Sequence, residues 1–467
     1  MQLKVFFEKN MKVLSYSSFS FMIIKIKIKL QMNIEHLFKY EIGRSFSMRE
    51  VIKIEGGRPL NGRVRISGSK NATVALLPAT VLADGPVTIF GVPEIADVLA
   101  LKQLLTELNA NVKTKDNHII IDPTDLKNIS LESEAVGKLR ASYYFMGALL
   151  GKYKHVQMKI PGGCNLGPRP IELHIKGFEA LGAKVTYKDG TYDIKADRLI
   201  GNKIYLDFAS VGATINIMLA AVRAEGRTII ENAAKEPETI DLANLLVKMG
   251  AQIRGVGTDT ITIDGVDSLN GCFHEIIPDR IEAGTYLIFS AAVGNKVIIE
   301  NVIPQHLDAV ISKLEEIGVS MEIRNDSIVV YGGNKNLKPA NIKTQIYPGL
   351  ATDLQQPLTV LLTQAHGQST VKETIYAERF KHCHELNKMG ANISVDIPKS
   401  YIKGQTPLKA AKVQATDLRC GAALVLAGLI AEGVTEIDNI YHIDRGYVEI
   451  DKKLIELGAK IWREVIE

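Results

Sequence analysis

Six times along the chain, a helix-compatible stretch ends in an apolar residue, a glycine or asparagine, a small residue, a variable one and an apolar one. These segments are Leu108–Val112, Leu181–Val185, Met249–Ile253, Ile317–Met321, Met389–Ile393 and Leu457–Ile461. With Asn109, Gly182, Gly250, Gly318, Gly390 and Gly458 as markers, the spacings are 73, 68, 68, 72 and 68 residues. So even a period is the signature of a repeat architecture. The marker predicts a left-handed residue closing a helix, which glycine adopts freely and asparagine tolerates, with a strand directly after it.

Each unit also holds an earlier helix that opens in a polar loop and runs into a β-rich segment, as in Ala213–Ala221 then Thr228–Glu231, or Ala422–Ala431 then Thr435–Asp438. A unit of about 70 residues barely buries a core of its own, so the units must pack together. Six of them predict an α/β chain of two domains with three units each.

Composition narrows the function classes. With 46% hydrophobic and 23% charged residues the chain is globular, which excludes disordered and fibrous classes. Four scattered cysteines, Cys164, Cys272, Cys383 and Cys420, form no CxxC pair. Neither a disulfide framework nor a zinc site is indicated, and a reducing cytoplasmic compartment is expected. Residues 1–47 carry eight Lys/Arg and three Asp/Glu, so the net charge of +4 sits in that segment and the rest is nearly neutral. Nucleic-acid binding would need a basic face with interleaved aromatics in the folded part, and none is visible. No apolar run reaches the ~18 residues of a membrane span. The alternation Ile24 to Leu30 within the leading segment marks it as an extension preceding a functional start at Met48, or as a membrane-surface contact through its lysines.

Cations recur where the earlier helices open: Lys70, Arg140, Arg280 and Arg419. Helix N-termini already present unpaired N–H groups and a positive dipole end, so an added Lys or Arg makes an anion site. Pairing with a nearby carboxylate is the alternative for any one of them, but four at equivalent positions point to a phosphorylated ligand. Asp353 and Asp417 occupy similar helix starts, as N-caps or as carboxylates able to take a proton in an Arg-rich cleft. Arg445 opens the last helix. The loop Pro161 to Pro170 places a thiol, Cys164, near the Arg169 guanidinium, which favours the thiolate and marks Cys164 as reactive. Cys383 and Cys420 read as small buried hydrophobes. His155 and His174 are near Cys164 only in sequence, which is weak support for Cys–His nucleophile chemistry.

The segments Ser67-Gly68-Ser69-Lys70-Asn71-Ala72, Pro161-Gly162-Gly163-Cys164, Gly167-Pro168-Arg169-Pro170, Ser210-Val211-Gly212-Ala213-Thr214, Pro278-Asp279-Arg280-Ile281-Glu282, Ala415-Thr416-Asp417-Leu418-Arg419 and His442-Ile443-Asp444-Arg445-Gly446-Tyr447 resemble the enolpyruvyl transferase family, and within it the UDP-N-acetylglucosamine 1-carboxyvinyltransferases. The resemblance runs from about Val51 to the C-terminus. Tyr347-Pro348-Gly349 and Ile375 to Phe380 are similar to the second of two paralogues in low-GC Gram-positive bacteria.

The resemblance implies a two-domain inside-out α/β barrel, each domain three ββαβαβ-like units. Residues 70–277 would form the domain with the Cys164 loop, residues 48–69 plus 278–467 the other, and residues 1–47 would lie outside both. Domain closure over the nucleotide sugar would set the Cys164 loop as a lid. The implied activity is transfer of the enolpyruvyl group of phosphoenolpyruvate to the 3′-hydroxyl of UDP-N-acetylglucosamine through a tetrahedral ketal, with loss of phosphate, in peptidoglycan synthesis. Asp353 would take the hydroxyl proton, and Cys164 would protonate the methylene carbon, form a covalent adduct and react with fosfomycin. Lys70, Arg169 and Arg445 would hold the phosphate, with Asp417 and Arg419 around the carboxylate and intermediate. Asn71, Arg140, Arg169, Pro170, Ile171, Glu172, Leu173, Ser210, Val211, Gly212 and Ile375 would bind substrate, with Glu172 and His174 on the uridine side. No metal or organic cofactor is implied, and a monomer is expected. Phe208 departs from the lysine many relatives carry there, which puts that nucleotide contact in doubt. Two other readings stay open: 5-enolpyruvylshikimate-3-phosphate synthase, against which the Cys164 loop argues, and a silent paralogue that binds the nucleotide sugar.

Overall fold

The computed structural model describes residues 49–115, 118–162, 171–333 and 336–466. The chain divides into Ile52–Arg463 and a second unit of Met1–Val51 with Glu464–Glu467, and the fold and site below belong to the first. Residues 1–47, whose role the sequence left open, lie outside the described residues.

All six markers take the left-handed conformation predicted for them: Asn109 has φ 67°, and the five glycines have φ between 92° and 111°. A strand follows each, Asn111–Lys115, Lys184–Lys188, Gln252–Arg254, Ser320–Ile323, Ile393–Asp396 and Lys460–Ile466. An L side chain with a Cβ pays a steric cost at such a φ, so the helix-to-strand reversal is written into the backbone chemistry of one residue per unit.

The described strands form six sheets, five of four strands and one of three. In each four-stranded sheet a central strand has a parallel neighbour on one side and an antiparallel one on the other. Arg227–Glu231, for example, runs parallel to Lys203–Tyr205 and antiparallel to Thr260–Asp264, with Ile230 opposite Ile261. In the three-stranded sheet an isolated parallel bridge, Leu131 to Met158, takes the place of the fourth strand. One complete unit therefore reads strand, buried helix, strand, outer helix, strand, strand, which is the ββαβαβ order entered one strand later.

Two hydrophobic clusters result, and the fold is the two-domain α/β architecture expected. One cluster is drawn from Ala72 to Ile276 and surrounds the helices Lys70–Ala79, Tyr144–Tyr153 and Val211–Ala221. The other joins Ile52–Ile66 to Ile281–Ile461 around Arg280–Val293, Thr352–Leu362 and Leu418–Ile430. These six helices are apolar on nearly all sides and are buried along most of their length, as a helix enclosed by sheets must be. The strands alternate instead, as in Thr260–Asp264, where Ile261 and Ile263 are buried and Thr260 is exposed.

The chain passes between the clusters at Ile66–Lys70 and at Ile276–Arg280. The two passages run side by side: Gly68 bridges Pro278, Ser69 N–H donates to Ile277 O at 2.8 Å, and Asp279 N–H donates to Ser67 O at 2.9 Å. A Cβ on Gly68 would stand 1.9 Å from the Gly91 carbonyl oxygen, so only glycine fits this crossing.

Candidate active site

Helix starts gather at the crossing. Ser69 caps the helix Lys70–Ala79 through Ala72 N–H at 3.2 Å. Asp279 caps the helix Arg280–Val293, its Oδ1 accepting from Ile281 and Glu282 N–H at 2.8 and 2.9 Å. Its Oδ2 accepts from Lys70 N–H at 2.8 Å, so one carboxylate ties the openings of two helices that belong to different hydrophobic clusters. The Lys70 ammonium reaches Asp97 Oδ2 at 3.3 Å, and Arg445 meets the same carboxylate through Nε at 2.8 Å and Nη2 at 3.4 Å. Asp97 lies in the first turn of the helix Ala96–Glu107 and is 3% exposed.

Asp353 forms the second focus. It lies in the first turn of Thr352–Leu362, but it does not cap that helix. Arg379 Nη1 donates to its Oδ1 at 2.7 Å and Arg419 Nε to its Oδ2 at 3.0 Å. Burial would raise the Asp353 pKa, yet the guanidinium groups of Arg419 and Arg379, with Lys70 further off, outweigh it and hold the carboxyl well below the usual carboxylate range. Arg379 Nη1 also donates to Thr352 Oγ1 at 3.0 Å, and Thr352 in turn donates at 2.8 Å to the buried Glu373, whose carboxylate accepts as well from Thr344 Oγ1 at 2.7 Å, Ile375 N–H at 2.8 Å and Tyr376 N–H at 3.1 Å. That turn carries Ile375, itself part exposed. Arg419 is buried, its guanidinium 5.2 Å from the centre of the Tyr447 ring.

Asp417 proves to be an N-cap: Oδ1 accepts from Arg419 and Cys420 N–H at 3.0 and 3.1 Å, and Gln356 Nε2 donates to Oδ2 at 3.3 Å. Cys383 and Cys420 are buried, and burial pushes both thiols up to about 12, so they are inert hydrophobes as read. His382, beside them, is buried and pushed down to about 3, chiefly by burial, so it is neutral.

A third group surrounds the start of Val211–Ala221. Ser210 caps it through Ala213 N–H at 3.3 Å, and a Cβ on Gly212 would come within 2.8 Å of the Tyr143 hydroxyl. Arg140 opens a short 3-10 turn, Arg140–Tyr143, and donates to the Pro161 carbonyl at 3.3 Å, the entry of the glycine-rich loop. His174 is buried and pushed down to about 3 by burial and by Arg140. Its Nδ1 pairs with Asn216 Nδ2 at 2.8 Å, so it is a neutral residue, and its Nε2 lies beside Gly212, 3.0 Å from where a Cβ there would stand. Ile171 is buried, Leu173 partly so, and Glu172 is exposed. Phe208 is 60% exposed.

The structure thus brings Lys70 and Arg445 to one carboxylate and Asp353 to Arg419, with Asn71 directly after Lys70 and partly exposed. Cys164, Arg169 and Pro170 lie outside the described residues. Arg280 is paired with Glu238 at 3.0 and 3.3 Å, so it makes no open anion site. Sequence reasoning missed Asp97 and named Tyr447 and Arg379 only as members of motifs.

A sequence model of the family described as EPSP synthase (3-phosphoshikimate 1-carboxyvinyltransferase) matches residues 54–454. UDP-N-acetylglucosamine 1-carboxyvinyltransferase 2 of Bacillus subtilis is 58% identical over 415 residues, covering 89% of this chain and 97% of the relative. The protein of the same name from Listeria monocytogenes is 56% identical over 416 residues, covering 89% and 98%. Among solved structures, the enolpyruvyl transferase NikO from Streptomyces tendae superposes with a TM-score of 0.83 at 25% identity, covering 90% of this chain and all of that one. EPSP synthase from Acinetobacter baumannii gives 0.68 at 19% identity over 89% of this chain and 100% of its own, a likeness of fold alone. The chain belongs to the enolpyruvyl transferase family and groups within it with the UDP-N-acetylglucosamine 1-carboxyvinyltransferases.

Proposed function

We propose that the protein transfers the enolpyruvyl group of phosphoenolpyruvate to the 3′-hydroxyl of UDP-N-acetylglucosamine and releases phosphate, the first committed step of peptidoglycan synthesis. The observation that carries this reading is the 58% identity across 97% of a relative named for that reaction. The geometry supports it, because Lys70, Arg445 and Arg419 offer cations where a phosphate and a carboxylate must be held.

In the addition step the hydroxyl oxygen bonds to C2 of phosphoenolpyruvate as the hydroxyl proton passes to Asp353 and the methylene carbon gains a proton from Cys164. In the elimination step the methyl carbon of the ketal returns a proton to the Cys164 thiolate left by the addition, and the C2–O bond to phosphate breaks with the electron pair leaving on the phosphate. Asp353 is a weak base while both its oxygens accept from guanidinium groups, but each oxygen keeps a second lone pair to which the bound hydroxyl can donate before proton transfer. Lys70, Arg169 and Arg445 take the phosphate, with Arg419 on the carboxylate. Asp417 acts through the Arg419 backbone that it caps. Asn71 contacts substrate beside Lys70, and Arg140, the stretch Arg169 to Leu173, Ser210 to Gly212 and Ile375 bind the nucleotide sugar.

The division into residues 70–277 and 48–69 plus 278–467 is the domain reading we favour, supported by the two separate cores. Among the described residues no helix is long and apolar enough to cross a membrane. We place the protein in the cytoplasm as a monomer, the compartment resting on its scattered cysteines.

The test is phosphate release from phosphoenolpyruvate with UDP-N-acetylglucosamine or shikimate 3-phosphate as acceptor. Turnover with the nucleotide sugar alone, lost in Cys164→Ala, is expected. Turnover with shikimate 3-phosphate would move the protein to the sister activity, and tight nucleotide-sugar binding without phosphate release would make it a silent paralogue.

A further inference from the structure

We infer that Asp97 is a positioning residue: an internal counter-anion that holds Lys70 and Arg445 together across the domain junction and competes with the phosphate group those cations bind. This rests on the assignment of Lys70 and Arg445 to phosphate under the proposed function.

Asp97 is 3% exposed and lies 348 residues from Arg445 in sequence, yet one of its oxygens takes Arg445 Nε at 2.8 Å while the other takes Lys70 Nζ at 3.3 Å. A carboxylate this deep is tolerable only because both cations are there. The Lys70 and Arg445 side chains each keep 16% exposure, so a ligand reaches the cations without first removing Asp97. An ammonium has three donors and a guanidinium five, more than this carboxylate can accept.

The charge arithmetic gives the function. Lys70, Arg445 and the Arg169 of the proposed function bring +3 to the phosphate and Asp97 reduces that to +2, so a phosphate dianion is just neutralised, whereas without Asp97 one positive charge would be left over. Asp97 therefore pre-aligns the cations from two domains and at the same time lowers their hold on phosphate. A site that binds a phosphate ester and must afterwards release inorganic phosphate needs both properties. A purely structural tether would need neither, and kinetics separates the two roles.

The experiment compares Asp97→Asn, Asp97→Glu, Lys70→Ala and the unaltered full chain. It measures kcat, KM for phosphoenolpyruvate, competitive inhibition by inorganic phosphate and the thermal midpoint. Removing one unit charge a few ångströms from the anion, screened by solvent, should strengthen phosphate inhibition about tenfold in Asp97→Asn. KM for phosphoenolpyruvate and kcat should fall together as release slows. Asp97→Glu keeps the charge but shifts it by one methylene against Lys70 and Arg445, so phosphate inhibition should change there as well, which decides the matter even if the Asn variant does not fold. Lys70→Ala should weaken phosphate inhibition. If it does and neither Asp97 variant changes phosphate inhibition, the counter-anion role is wrong while the site assignment stands. If Lys70→Ala leaves phosphate inhibition unchanged, the site assignment fails and takes this inference with it.

Discussion

Arg419 Nε stands 3.0 Å from Oδ2 of Asp353, a bond between the first turns of two buried helices 66 residues apart in sequence, and Arg379 Nη1 occupies the other oxygen at 2.7 Å. The carboxyl is held in its ionised form far below the pH at which an isolated aspartate would take a proton. Arg379→Gln removes one of the two cations, so the Asp353 pKa must rise and the acid limb of the kcat/KM profile must move to higher pH. Turnover at neutral pH should fall about a hundredfold, the usual cost of losing one charge-stabilising group. An acid limb at the same pH in Arg379→Gln would mean that Asp353 is not the group whose ionisation governs the rate.

Two buried histidines make stability fall on the acid side. His174 and His382 are both held neutral and pushed down to about 3, mainly by burial. The unfolded chain takes up these protons below about pH 6.5, before the fold can, so the stability they leave intact at neutral pH is lost as pH falls from there toward 3. At pH 5 each should cost about 2 kcal/mol relative to pH 7. Urea midpoints at the two pH values check this, and His382→Gln should flatten the difference. An equal pH dependence in that variant would show that His382 titrates alike in both states.

Covalent inactivation by fosfomycin is expected, because the resemblance places Cys164, in a loop with Arg169, where the reactive thiol belongs. Cys383 and Cys420 are too deeply buried to compete. Mass spectrometry should find a single adduct on the peptide containing Cys164, absent in Cys164→Ala. Full activity after treatment would remove the thiol from the mechanism.

The repeat was legible because it rests on local chemistry: a left-handed residue closes each outer helix, and glycine or asparagine announces it from five residues of sequence. The buried helices were legible for a similar reason, since an apolar run behind a polar opening can be read without knowing its neighbours. Asp97 and Arg379 were not, because their meaning lies in partners far along the chain. Asp97 reads as an ordinary first-turn acid until Arg445 arrives from 348 residues along the chain. Arg280 shows the converse. Its position at a helix start suggested an anion site, and only the folded chain brings Glu238 from another helix to neutralise it. Local rules also placed Asp353 and Asp417 alike, while the structure makes one a cap and the other a clamped carboxylate.

Gly147 shows how tightly the first core is closed. A Cβ there would stand 2.4 Å from the Asn216 carbonyl oxygen on the neighbouring helix Val211–Ala221, and backbone cannot give way cheaply. Gly147→Ala should cost about 2–3 kcal/mol, typical of overpacking between helices. Gly147 N–H also donates to Asn216 Oδ1 at 2.9 Å, and Asn216 holds His174, so the disturbance should reach the Ser210–Gly212 helix start. KM for the nucleotide sugar should rise more than KM for phosphoenolpyruvate. Wild-type urea stability in the variant would show that the two helices are not in close contact.

Asp279 joins stability and catalysis at the crossing. Its carboxylate accepts three backbone N–H groups, two at the start of its own helix and one from Lys70 at the start of the other, and it is 4% exposed. Asp279→Ala leaves all three donors buried without an acceptor, so about 2–3 kcal/mol of stability should be lost, more than a single-helix cap supplies. Asp279→Asn keeps an oxygen for its own helix but turns an NH2 group toward Lys70 N–H, or the reverse, so it should recover about half. Because the Lys70 backbone is the root of a phosphate-binding side chain, both variants should also raise KM for phosphoenolpyruvate while leaving KM for the nucleotide sugar nearly unchanged. Urea unfolding with steady-state kinetics on both variants decides this. A stability loss with no change in either KM would confine Asp279 to capping its own helix.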